Sequence, residues 1–135
     1  MSGSGKSCLL YVLVAFYAAC TDVVLWGCDL KQGVELGPWE RCLARTAETV
    51  GQAEDLLEAA ARVSEARGRD LRRRGARKWQ PAPGAPALVI VIDEHARLGG
   101  SGRAVAAVDL LAEQGRATGV WLVTAMQKPV KLICN

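Results

Sequence analysis

The chain contains no apolar run of the roughly 18 to 20 residues that a membrane-spanning helix requires, and no internal repeat that would build a solenoid. It has no low-complexity tract, so a disordered chain is not the default reading. Its five cysteines (Cys8, Cys20, Cys28, Cys42 and Cys134) are odd in number and form no CxxC pair. They fall mostly inside apolar runs, a pattern that suits buried, reduced thiols in a cytosolic protein better than a disulfide framework or a zinc site. There is a single histidine, His95.

What is present is core-forming material. Half of the 135 residues are hydrophobic, enough for one ordinary domain spanning 1–135. The net charge of +3 neither requires nor excludes nucleic acid, but the positive excess is concentrated in RGRDLRRRGARK, residues 67–78. Residues 7–20 carry no Gly or Pro and are apolar on every side, which predicts a helix buried on most faces. VVLWGC at 23–28 reads as a buried strand. A helix follows over 50–74, entered through the capping-box pair Thr49 and Gln52 and ended by Gly75. Its apolar positions Ala53, Leu56, Leu57, Ala60, Val63 and Leu71 recur at helical spacing, with Arg67 on the same stripe. QPAPGAP at 80–86 is a stiff connector. ALVIVIDE (87–94) is a continuous apolar strand ending in two carboxylates, residues 103–117 form a small-residue helix, and GVWLVTAMQ (119–127) is another buried strand. All-apolar strands alternating with helices predict an α/β fold with a parallel sheet covered on both faces.

Two stretches carry chemistry. SGSGKS at 2–7 supplies all of the phosphate-loop pattern GxxxxGK[ST] except its first glycine, which would fall one position before Met1. In such a loop Gly3 and Gly5 let the backbone turn its amides inward, Lys6 reaches the terminal phosphates, and Ser7 holds Mg²⁺ at a helix N-terminus that favours anions. The same twenty residues also fit an export signal, with one lysine, an apolar run and small residues before Cys20. The partner stretch argues against export: LVIVIDE delivers Asp93 and Glu94 to the carboxyl end of a buried strand, where open α/β sheets place their ligands. Asp93 suits the role of Mg²⁺ partner and Glu94 that of a base acting on water. Gln127 closes the next strand and is positioned to sense the γ-phosphate or its water.

Together these stretches resemble the motor domain of FtsK/SpoIIIE-type DNA translocases, especially the transfer proteins of conjugative elements. The matching segments are SGSGKS, VVLWGCDLKQGVEL, KWQPAPGAPALVIVIDEHARL and RATGVWLVTAMQKP, in order and over nearly the whole chain. The resemblance implies a RecA-like P-loop NTPase core and ATP bound by Gly3, Ser4, Gly5, Lys6 and Ser7. It implies Mg²⁺ held through Ser7 and Asp93, hydrolysis assisted by Glu94, and sensing by Gln127. Arg116 matches an arginine finger that acts on a neighbouring subunit of a ring, expected to be a hexamer, which moves double-stranded DNA in the cytoplasm. Asp29 and Lys31 fall in a family signature, where Asp29 reads best as a structural hydrogen-bond acceptor.

His95, Arg97 and Lys128 depart from the family pattern. The strand expected before the phosphate loop and the elements expected after Gln127 have no counterpart, so the core reads as incomplete and one edge of the 120–126 strand as apolar and unpaired. Two alternatives stay open on the sequence. One is a catalytically silent remnant or interaction module, and the other is an exported lipoprotein. The arginine-rich segment 67–78 is either a DNA-contacting surface or a solvated helix end.

Overall fold

The computed structural model describes the backbone of residues 2–31, 36–93, 95–125 and 131–133, with side chains over 9–31, 36–93 and 96–124. The chain runs α1 (Ser2–Ala18), β1 (Val23–Asp29), β2 (Arg45–Ala47), α2 (Val50–Arg74), β3 (Ala87–Asp93), α3 (Gly102–Thr118), β4 (Val120–Ala125) and β5 (Lys131–Ile133). Single 3₁₀ segments, Gly37–Cys42 and His95–Gly100, follow β1 and β3. The strands form one sheet in the order β2-β1-β3-β4-β5, parallel except for β5.

Strand β3 is central, and all seven of its residues are buried. Its side chains alternate between two cores, as the two-residue period of a strand requires. Leu88, Ile90 and Ile92 face α2 and α3. Val89 and Val91 face α1, where Leu10 and Val14 are fully buried beside Leu25 and Val123. Cleavage after Ala19 would therefore strip the cover from one face of the sheet.

Helix α2 matches its expected limits at both ends. Thr49 accepts from the Gln52 amide, while the Gln52 carboxamide reaches Glu48 N rather than Thr49 N, so the reciprocal half of the box is displaced by one residue. Gly75 adopts φ 67°, and the amides of Gly75 and Ala76 bond to Arg72 O and Leu71 O, which is a Schellman ending. Arg67 is half-buried: it donates to the carbonyls of Thr118, Gly119 and Pro86, and its guanidinium stacks 4.3 Å from the Trp79 ring. Burial holds its pKa below the ordinary arginine value. It ties the end of α2 to the start of β3 and the turn into β4. At the other end of the α2–α3 seam, Arg103 pairs with Glu54, Asp55 and Glu58.

Several expectations are corrected. Helix α1 begins at Ser2 rather than residue 7, because two glycines weaken a helix by about 1 kcal/mol each without forbidding it. Nor is α1 buried on most faces: Val12 and Phe16 are 63% and 62% exposed, leaving an apolar outer stripe. Strand β2 was not expected, being three residues long with two of them exposed. The free edge of β4 is partly paired, since β5 runs antiparallel along Leu122–Thr124. Of the described cysteines, which are all free, Cys28 is buried but Cys42 is exposed.

The crossing of α3 onto β4 depends on Gly115, where an added Cβ would lie 2.0 Å from the Val120 carbonyl oxygen. Replacing Gly115 by Ala should cost about 3 kcal/mol in urea denaturation, the upper range for overpacking. By contrast, Gly68→Ala in mid-α2 meets only ordinary contacts and should raise stability by about 0.8 kcal/mol through helix propensity.

Candidate functional site

In a parallel sheet every strand ends at the same edge, and β1 and β3 end in register with Asp29 opposite Asp93. The residue beside Asp93 on the other flank is Ala125 at the end of β4. Both aspartates are buried, Asp93 completely. The short turn between α1 and β1 reverses the chain, so α1 runs antiparallel to the strands. Its 17 residues span about 25 Å and β1's seven about 23 Å. The head of α1 therefore reaches the carboxyl edge that carries Asp29 and Asp93. The amides of Ser2, Gly3 and Ser4 at that head have no intrahelical acceptor, which makes it an anion-favouring pole.

Asp29 has a structural task. Asp29 accepts from the Lys31 amide at Oδ1 (3.1 Å) and from the Leu36 amide at Oδ2 (2.7 Å). It thereby pins the segment after β1, in keeping with the structural role expected of it. Arg97, in the 3₁₀ segment after β3, donates to the Leu30 carbonyl and ties the two strand exits together. A cleft of about 450 Å³ opens beside β1, lined in part by Asp29, Glu40, Thr46 and Glu48. Its carboxylates disfavour phosphate, and it escaped the sequence reading because one wall is β2. Among the described residues, no three His, Cys, Asp or Glu side chains gather to hold a metal.

The expected site residues fare differently. Gly3, Ser4, Gly5, Lys6 and Ser7 all lie in the first turns of α1, so the backbone there is helical rather than a wrapped loop. Their side chains lie outside the described residues, as do Glu94, Gln127, Lys128 and the His95 side chain. Asp93 stands where expected. Arg116 does not join it: the last turn of α3 places this exposed residue at the opposite, amino edge, a helix length of about 25 Å away. Contact with a phosphate at the carboxyl edge of its own chain is therefore ruled out.

No family model and no curated protein matches the chain. Among solved structures, the monomer form of the pCW3 conjugation coupling protein TcpA, determined with ATPγS, superposes with a TM-score of 0.80 and 27% sequence identity. The match covers 94% of this chain and 40% of that one. The chain shares its fold with an FtsK/SpoIIIE-type conjugation coupling protein. The resemblance drawn from four ordered motifs is thus borne out, and the α/β core with its five-stranded sheet corresponds to part of a coupling-protein chain.

Two measurements probe this edge of the sheet. Asp29→Ala should cost about 3 kcal/mol in urea denaturation, because two inward amides lose their acceptor, whereas Asp29→Asn should recover part of the loss. The Cys28 thiol is pushed from 9.0 to about 12 by burial, with Arg45 opposing weakly. Between those values the folded protein retains a proton that the unfolded chain has released, so stability falls as pH rises through that window. Alkylation under mildly alkaline, native conditions should accordingly modify Cys42 and spare Cys28 until the protein unfolds.

Proposed function

We propose that this chain, as one domain over 1–135, is part of a P-loop ATPase that couples ATP hydrolysis to the movement of double-stranded DNA. The observation carrying the reading is that the head of α1 shares the carboxyl edge of the sheet with the buried Asp93, in a fold like that of a coupling protein determined with ATPγS. The donor set fits a magnesium nucleotide. The Ser7 hydroxyl and Asp93 carboxylate are hard oxygen ligands of the kind Mg²⁺ prefers, and Lys6 is a compact cation suited to phosphate. When bound, the metal would neutralise charge on the terminal phosphates.

In this reading Gly3, Ser4 and Gly5 contribute amides to the phosphates, and their weak helix propensity lets the first turn of α1 open onto them. Glu94 takes a proton from the attacking water, and Gln127 orients that water. Arg116 serves a neighbouring copy in a ring, a hexamer, since it stands a helix length from the acids of its own chain. Such a motor works in the cytoplasm, in keeping with the free thiols of Cys20, Cys28 and Cys42.

A second reading, a silent interaction module, is favoured by the helical backbone through Gly3 and Gly5. Calorimetry with ATPγS and Mg²⁺ separates the two, because the silent module gives no binding heat. For the motor, duplex-stimulated ATPase should be lost in Lys6→Ala and should fall about 10²-fold in Glu94→Gln, the range for removing a general base. Equal rates in the wild type and both variants would overturn the assignment.

A further inference from the structure

The amino edge of the sheet, far from the candidate nucleotide edge, carries a feature the ATPase reading does not use. Helices α2 and α3 both end there, and a groove of about 1040 Å³ lies between their last turns. Arg69, Arg72 and Arg77 wall it, and Gly68, Ala76 and Ala117 line it with little bulk. A second groove of about 940 Å³ shares Ala76 and Arg77 with the first and adds Arg74 and Lys78. The two form one trough across the edge, lined by five cations against Glu65, Asp70 and Glu113. Asp70 is already engaged by Arg73 and Arg74. Arg69, Arg72, Arg77 and Lys78 are exposed and have no carboxylate partner among the described residues.

We propose that this trough is a sequence-independent seat for the phosphate backbone of duplex nucleic acid. Four features of the trough favour that occupant. The cations are mainly arginines, whose planar forks match phosphate oxygens in pairs. The trough is extended, as a polymer requires, rather than closed around a small anion. Gly68, Ala76 and Ala117 add little bulk to a lining that also holds Leu71, Gln114 and Thr118, leaving room for a sugar–phosphate strand. Trp79, the one aromatic in the lining, is committed to Arg67 above its ring and to the Ala85 carbonyl through Nε1. With no free ring for a base to stack on, backbone contact to a duplex is favoured over capture of an unpaired strand. A helix-dipole preference explains Arg72–Arg74 in the last turn of α2, but not Arg69, Arg77 or Lys78.

The test is fluorescence anisotropy of a short labelled duplex bound to the 135-residue protein across a salt series. It compares Arg72→Gln/Arg77→Gln with Arg41→Gln/Arg62→Gln, which removes the same charge from exposed positions elsewhere. The trough pair should weaken binding and flatten the dependence of log K on log salt by about 2, one for each lost phosphate contact, while the control pair retains the wild-type slope. Equal effects of the two pairs would reduce the observation to net charge and overturn the proposal. So would competition by polyglutamate as effective as by duplex, which would make the trough a seat for acidic protein. ATPγS binding, measured in parallel, reports on the nucleotide edge alone, so failure of this seat and failure of the ATPase reading are distinguishable.

Discussion

The parallel register of β1 against β3 is the constraint on which the rest depends. It sets Asp29 beside Asp93 at one edge of the sheet, and reversal of the chain after α1 brings the helix head to that same edge. Neither carboxylate could be buried there without a purpose for its oxygens, since an unanswered buried charge is costly. Asp29 meets the amides of Lys31 and Leu36 and so anchors the segment after β1. Asp93 ends the most deeply buried strand of the sheet.

The same directionality gives the molecule two unlike ends. Acids collect where strands finish and helices begin: Asp29, Asp93, and the Glu54, Asp55 and Glu58 group around Arg103. Arginines collect where helices finish. Part of that segregation follows from the helix dipoles, which favour acids at helix starts and bases at helix ends. Arg67 turns one of those bases inward, and the three carbonyls it holds join α2, β3 and the turn into β4. Thus a composition bias visible as a run of arginines resolves into one structural residue and several exposed ones.

Much of this was legible in the amino-acid sequence because the relevant signals are local. The limits of α2 were set by Thr49 and Gly75, and β3 by an unbroken apolar run before two acids. The helix expected at 103–117 lies at Gly102–Thr118, between its Ser101 cap and the left-handed Gly119. What was not legible depends on partners distant in the chain. Strand β2 is made of Arg45, Thr46 and Ala47, which have no strand signature and pair only because Trp26, Gly27 and Cys28 offer an open edge. Strand β5 likewise exists by virtue of the edge of β4. The outer stripe of α1, with Val12 and Phe16 exposed, reads as core by composition alone. At the site itself the position of Asp93 was readable, whereas the helical course through Gly3 and Gly5 was not, since that motif is shared with loops that wrap phosphate.

Paramagnetic broadening of backbone amide resonances on adding Mn²⁺ with ATPγS reports whether the head of α1 and the end of β3 form one metal–nucleotide site. A shared site gives selective broadening at residues 2–7 and around Asp29 and Asp93, with the amides of Val23 and Ala87 at the starts of β1 and β3 remaining sharp. Broadening centred on the amino edge, or spread evenly over both, would contradict it.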